Sequence, residues 1–315
     1  MLVFRVVGRR LIVAIPLIFV VASISFLFVL ITPGSPASII LGTQATPQGI
    51  KQINHELGLD KPVLTQYLHY LSQLAHFTLG HSVLNNQSVM SLLVPRLQVT
   101  LSEAVLATVV SAVIGMWWGT LAATRRGWVD RVMTPISGLG LAMPSFWLGT
   151  ILVLLFAIRS HVLPATGYVA VQTSPLQWAR HLVLPVLALS LPLVAAITRQ
   201  TRTQMMVELE KDYVRALRAA GVPRWSIVWR HALRNASIPV VTTLGLQFVG
   251  VLGGAVIVEQ VFSLPGLGSL VLQATTTHDI PVVQGVVVAS AVIVMAVNVL
   301  LDVVLIALSP KMRRR

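Results

Sequence analysis

The chain has 315 residues, 55% of them hydrophobic and 10% charged, and a formal net charge of +13; its mean hydropathy is +0.82. A soluble domain carries roughly 25% charged residues, so the composition excludes an ordinary soluble protein and describes an integral membrane one. The absence of cysteine excludes a disulfide framework, a thiol nucleophile and a cysteine-held metal.

A span needs roughly 20 apolar residues. The first runs over 11–32, behind Arg5, Arg9 and Arg10. It is longer than the roughly 7–15 apolar residues of a secretory leader, and no small-x-small cleavage site follows it. It therefore reads as an uncleaved span.

The segment 33–99 is too polar to cross a bilayer. Thr46 and Pro47 have the types favoured at a helix N-cap and first turn, and Gly58 can end that helix. A second helix is expected over 62–76, with Val63, Leu64, Tyr67, Leu68, Leu71 and Leu74 on one side. His55, His69, His76 and His81 also fall here. No cysteine or close carboxylate completes a metal site with them, so no metal is expected.

Five further spans are predicted over 100–123, 132–158, 182–198, 238–258 and 282–308. Pro135 and Pro144 leave open an interfacial start to the third span. Pro185 and Pro192 predict a kink in the fourth. Glu103 and Asp302 lie inside spans, where an ionisable group costs roughly 2.5–3.5 kcal/mol and so faces an interior or a cavity. Asn298 and Asp302, four residues apart, share a helix face and read as a structural clasp. Gly245, Gly250, Gly253 and Gly254 smooth the fifth span for close helix approach, either to a second subunit or within this chain.

Charge sets the orientation. With the N-terminus inside, 18 of the 23 lysines and arginines lie on inner segments, leaving Lys51, Lys61, Arg96, Arg159 and Arg180 outside. The positive-inside rule then places both termini in the cytoplasm. These cations orient the chain and face anionic lipid, which accounts for the net charge without nucleic acid. The organisation expected is a cytoplasmic N-terminus and first span (1–32), an extracytoplasmic loop domain (33–99) and a five-span core (100–315) with a large inner loop at 199–237.

The inner loop carries the most specific pattern. Residues 212–220 form a short helix, Gly221 supplies a left-handed cap, and Pro223 prevents continuation. Helix resumes with Trp225, Val228, Trp229, Ala232 and Leu233 on one stripe. Taken alone, these charges also fit a plain basic loop obeying the orientation rule. The string Asp212, Tyr213, Val214, Arg215, Arg218, Ala219, Gly221, followed by His231, Ala232, Leu233, Arg234, Asn235, Ala236 and Pro239, resembles the coupling loop of ABC importer permeases in the dipeptide, oligopeptide and nickel family. Of the general Glu-Ala-Ala…Gly motif of such importers, only Ala216 and Gly221 agree. Two further strings resemble that family: Ala142-Met-Pro-Ser-Phe-Trp-Leu-Gly149, and Glu259-Gln-Val-Phe-Ser-Leu-Pro-Gly-Leu-Gly268. Residues 57–62, Tyr67 and Leu79-Gly80-x-Ser82 are similar to the first outer loop of the B-type subunit. Gln98, Ser102, Leu305 and Ser309 depart from the family pattern.

The resemblance implies an all-α, six-span permease of the type I ABC importer kind. It implies ATPase coupling through Asp212, Tyr213, Arg215, Ala216, Arg218, Gly221, His231, Arg234 and Asn235. It implies a substrate path past Glu103, Pro144, Phe146, Trp147, Glu259 and Phe262. The implied partners are a homologous C-type permease, one or two ATPase subunits, an extracytoplasmic substrate-binding protein and membrane lipid. No G-x-x-x-x-G-K-[ST] occurs, so the chain has no phosphate cradle of that kind. No catalytic residue or bound cofactor is expected of it; ATP and magnesium belong to the partners. The expected cargo is a di- or oligopeptide, with nickel or haem as alternatives on the same architecture. An ion-coupled secondary transporter is the alternative from another class, and would want inverted repeats and ionisable relays.

Overall fold

The computed structural model describes residues 2–31, 36–41, 45–56, 58–125 and 127–308. Thirteen helices are assigned among them. They are α1 (Leu2–Ile31), α2 (Pro36–Leu41), α3 (Pro47–Glu56), α4 (Val63–Ala75), α5 (Val89–Thr124), α6 (Trp128–Ala142), α7 (Ser145–Leu152), α8 (Pro175–Leu209), α9 (Asp212–Ala219), α10 (Arg224–Ser226), α11 (Leu233–Val261), α12 (Leu267–Thr276) and α13 (Ile280–Leu308). Two π-helical turns, Val153–Arg159 and Ile227–Ala232, continue α7 and join α10 to α11. The β structure among the described residues is one isolated bridge, His81 to Ser88. The all-α expectation therefore holds.

Four helical stretches are long and apolar enough to cross a membrane: Val89–Thr124, Pro175–Leu209, Arg224–Val261 and Ile280–Leu308; Ile12–Phe28 and Ser145–Arg159 are shorter apolar helices. The third expected span departs from a continuous helix. It breaks at Met143 and Pro144, both in extended backbone, into α6 and α7. Proline disfavours helical geometry in the residue before it, so Met143 ends α6 and Pro144 opens α7. Pro185 and Pro192, by contrast, are accommodated inside α8. That helix starts with Ser174 accepting the Gln177 amide at 3.3 Å, and Pro175 follows at a position where the missing N–H costs nothing.

The contacts divide the chain into two compact units. The first comprises 1–10, 100–264 and 294–315. Helix α8 is its most buried element, packed by α6, α7 and α11. Helix α5 approaches α8 along Gly115 and Gly119. A Cβ on Gly119 would come within 2.6 Å of the Thr198 carbonyl and the Thr201 side chain, and one on Gly115 within 2.7 Å of Ile197. Ser111, one turn earlier, donates to Ser190 O at 3.1 Å. With buried Ala107 these residues repeat every four, a small-residue seam that brings two backbones together. Arg10 makes a two-pronged pair with Asp302 through Nε and Nη2, so the clasp expected of Asn298 and Asp302 closes instead between Asp302 and Arg10. Asn298 donates to the Val294 carbonyl at 2.8 Å.

The second unit comprises 11–99 and 265–293. The Thr46 hydroxyl accepts the Gly49 amide at 3.1 Å and starts α3 as expected, and Gly58 adopts φ +68° beyond its end. Helix α4 buries Tyr70 in a cluster with Ala22, Phe26 and Val288, flanked by Tyr67 and Leu74. The Tyr67 and Ser23 hydroxyls lie 2.6 Å apart. Burial pushes the Tyr70 phenol up to about 12, with Tyr67 adding to the effect. Val63, Leu64 and Leu68 face outward, so the apolar positions expected on one side of α4 divide between two. The loop before α5 is fixed by Asp279, whose carboxylate accepts from the Ser82 hydroxyl and from the Val83 amide at 3.1 Å.

Candidate functional site

Two groups of residues concentrate the polar chemistry of the first unit. One is the 199–237 loop. Helix α9 ends in a complete left-handed cap. Gly221 has φ +77°, its amide donates to Arg218 O at 3.0 Å, and the Val222 amide donates to Leu217 O at 3.0 Å. This is the paired hydrogen-bond pattern of a Schellman stop, in which glycine takes the left-handed position. Pro223 follows and opens α10.

A buried carboxylate holds α9 in place. Glu208, in the last turn of α8, accepts from the Tyr213 hydroxyl at 2.9 Å and from Lys211 Nζ at 2.5 Å. Asn235, in the first turn of α11, donates to the Tyr213 hydroxyl at 3.4 Å. Burial raises the pKa of Tyr213; the Asn235 donor opposes that rise, and Glu208 adds to it by accepting a hydrogen bond from the protonated phenol. Val214 is buried alongside. One face of α9 is thus tied to both long helices that flank it. On the other face Asp212, Arg215, Ala216, Arg218 and Ala219 are exposed, with Arg215 3.3 Å from Asp212. So exposed a pair contributes about 0–1 kcal/mol.

The return arm departs from the expected continuous helix. Ile227–Ala232 winds as a π-turn containing His231. Such turns concentrate at functional sites, and this one changes the register between α10 and α11. Val228 and Ala232 pack with Ala123, Met205 and Ala236, with Trp229 and Leu233 against them. Trp225 leaves the expected stripe and is 72% exposed. Arg224 Nη2 donates to Thr124 O at 2.9 Å, satisfying a carbonyl at the end of α5. His231 is half-buried, and Arg234 and Asn235 are exposed.

The second group is a carboxyl pair. Glu103 on α5 and Glu259 in the last turn of α11 are both 0% exposed. The Thr100 hydroxyl donates to Glu259 at 2.6 Å, and Glu259 neighbours Glu103. Phe262 is buried next to this turn. Its ring covers Gly149, where a Cβ would lie 3.1 Å from the ring edge, and its carbonyl accepts the Gly167 amide at 3.0 Å. The two strings 142–149 and 259–264 therefore meet. Pro144, Phe146 and Trp147 are exposed, so the six residues grouped by resemblance as a path separate by burial into a buried trio and an exposed one.

The four glycines of α11 also separate. Gly245 faces Leu301 and Asn298, and Gly254 faces Leu189 and Ser145, whereas a Cβ on Gly250 or Gly253 would meet nothing within 4 Å. Leu246, Val249 and Ile257 continue that open face. Sequence reasoning missed three features. Glu208 is a single acid whose partners arrive through a chain reversal, and Arg10 is 292 residues from Asp302. The four-residue repeat Ala107, Ser111, Gly115, Gly119 was the available signal for the α5–α8 seam.

Comparison with known proteins decides the family. Residues 111–314 match the binding-protein-dependent transport system inner membrane component, and residues 1–104 match the N-terminal component of such membrane proteins. The chain belongs to this family. It is 39% identical over 306 residues to a Brucella abortus protein provisionally named a peptide transport system permease protein, covering 97% of this chain and 98% of that one. It is 36% identical over 306 residues to the glutathione transport system permease protein of Escherichia coli K12, covering 97% of each. A solved structure of the MetNI methionine ABC transporter aligns with a TM-score of 0.55 at 20% identity, over 70% of this chain and 97% of that one, and shares the fold. The chain is accordingly a multi-pass ABC transporter permease.

Proposed function

We propose that this permease carries short peptides inward across the cell membrane, powered by ATPase subunits that dock on α9. The observation that carries the proposal is the two-sided character of α9: one face is fixed by Glu208, Tyr213 and Asn235, and the other presents Arg215, Ala216 and Arg218 to solvent. A helix so held passes a push from a partner directly into α8 and α11. ATP and magnesium act on the partner subunits; closure there displaces α9 and rocks the spans between inward and outward access. The names of the relatives support a peptide cargo. A homologous second permease fits the open face of α11 at Gly250 and Gly253, where backbones can approach. A substrate-binding protein delivers the peptide from the side of 33–99.

In this reading both termini and the 199–237 loop are cytoplasmic. A membrane-impermeant thiol reagent labels Leu84→Cys in intact cells and spares Arg224→Cys; labelling of the latter from outside refutes the orientation. Docking is tested in the assembled importer by cross-linking Ala216→Cys to single cysteines along the cleft of the ATPase subunit. A nucleotide-dependent cross-link is expected, and its absence from every cleft position overturns the docking site.

A further inference from the structure

We propose that Glu103 and Glu259 form a recognition site for the cationic amino group of the transported solute. The inference rests on the peptide reading above.

Four observations converge. Both side chains are 0% exposed. They come from different helices, α5 and α11, and are neighbours. Glu259 is oriented by the Thr100 hydroxyl at 2.6 Å, and Thr100 stands one helical turn before Glu103 on the same face of α5. Both carboxyl oxygens of Glu103 are buried, and no donor other than the Glu259 carboxyl stands within reach of them. A carboxyl buried with only a second carboxyl beside it is costly in a low-dielectric interior, and each carboxyl group offers lone pairs on two oxygens. Two adjacent buried carboxyls exclude each other's charge unless positive charge sits between them. The geometry is a two-pronged acceptor, buried between α5 and α11.

The shape of the site favours an ammonium group over a multidentate metal. A primary ammonium offers three N–H donors and no acceptor, which matches two or three carboxyl oxygens from two helices. No group of three His, Asp or Glu side chains able to hold a metal ion occurs among the described residues. A peptide carries such an ammonium at its N-terminus, with an ordinary pKa of about 7.7–8.0. In the present arrangement the site is sealed. The amine therefore reaches it when α5 and α11 part during the transport cycle, and their closure afterwards releases it.

Phe262 and Gly149 support the same assignment. The Phe262 ring fills the place left by the missing side chain of Gly149, and Phe262 stands three residues after Glu259. The acid is thereby held on a packed support.

The test uses the complete importer in proteoliposomes with saturating loaded binding protein, and two probes: trialanine and N-acetyl-trialanine. The maximal uptake rate of trialanine is expected to fall about tenfold in Glu103→Gln, the scale of one lost charge-assisted hydrogen bond. It should be largely kept in Glu103→Asp, and N-acetyl-trialanine uptake should change by less than about twofold in either variant. Basal ATPase activity reports assembly. An equal fall for both peptides in Glu103→Gln makes the pair a structural, proton-sharing clasp and overturns the proposal, as does unchanged trialanine uptake. If the wild type carries trialanine alone, equal loss in Glu103→Gln and Glu103→Asp overturns it. A wild-type importer that carries neither peptide refutes the peptide reading instead.

Discussion

Phe262 lies against Gly149 so closely that a single added methyl would sit 3.1 Å from its ring. The contact joins α7, which begins at the Pro144 break, to the turn that ends α11. It explains why a glycine is needed on α7, at a place where its backbone conformation is ordinary. Gly149→Ala requires the ring to yield by a few tenths of an ångström and should lower the melting temperature slightly. Gly149→Val should displace the ring and cost about 1–3 kcal/mol, the usual range for overpacking. Thermal unfolding of the detergent-purified chain compares the two; equal stability of Gly149→Val and wild type would contradict the contact.

The left-handed stop at Gly221 is a second point where one residue type is required. Its φ of +77° is a conformation that β-branched residues rarely tolerate. No side chain crowds the position, since a Cβ there meets nothing within 4 Å, so the cost of Gly221→Val is local backbone strain. The variant should insert and assemble, yet lose transport and substrate-stimulated ATPase activity together. Full uptake by Gly221→Val would show that the geometry of α9 is irrelevant to coupling.

Glu208 gives a graded test of the α9 mounting. Glu208→Ala leaves Tyr213 and Lys211 without their acceptor and should cost about 1–3 kcal/mol. Glu208→Gln keeps a neutral acceptor for the phenol and should cost less. The raised pKa of Tyr213 has a defined sign. The stabilisation is present in full below the unfolded value of about 10 and is lost as pH rises through the higher folded value. The difference between the ultraviolet titrations of wild type and Tyr213→Phe should isolate a late-ionising phenol in addition to Tyr70, which ionises late in both. A normal titration for Tyr213 would argue against the burial of its hydroxyl between α8 and α11.

The glycines separate packing within the chain from packing between chains. Gly119→Ala places a methyl within 2.6 Å of the Thr198 carbonyl, which is backbone and cannot swing aside. It should destabilise the isolated chain by about 1–3 kcal/mol. Gly253→Leu meets no neighbour and should leave that stability unchanged while weakening co-purification with the second permease. The opposite pattern would assign the two seams the other way round.

Much of this was legible in the sequence because local rules governed it. Thr46, Gly58 and Gly221 each did what capping chemistry prescribes, and Pro144 and Pro185 stood out as prolines inside apolar stretches. Sequence alone could not tell those two prolines apart, because tertiary packing decides which one a helix absorbs: α8 is enclosed on several sides. Pattern reasoning also put Leu64 and Tyr67 on the same side of α4, since a short helix with apolar residues on most of its surface has no unique face. Glu208 and Arg10 were invisible for a different reason. Long-range polar pairs leave no periodic trace, and the family strings used to read the coupling loop begin at Asp212. The acid pair was half legible: Glu103 stood out as an intramembrane carboxylate, but its neighbour lay 156 positions on.

This chain forms the path of an ATP-driven peptide importer. The most direct measurement is uptake of labelled trialanine into proteoliposomes holding the permease with its paired permease and ATPase subunits, with binding protein on the outer side. Accumulation should require both internal ATP and binding protein, and an imposed proton or sodium gradient should not replace them. Accumulation driven by such a gradient without ATP would contradict it.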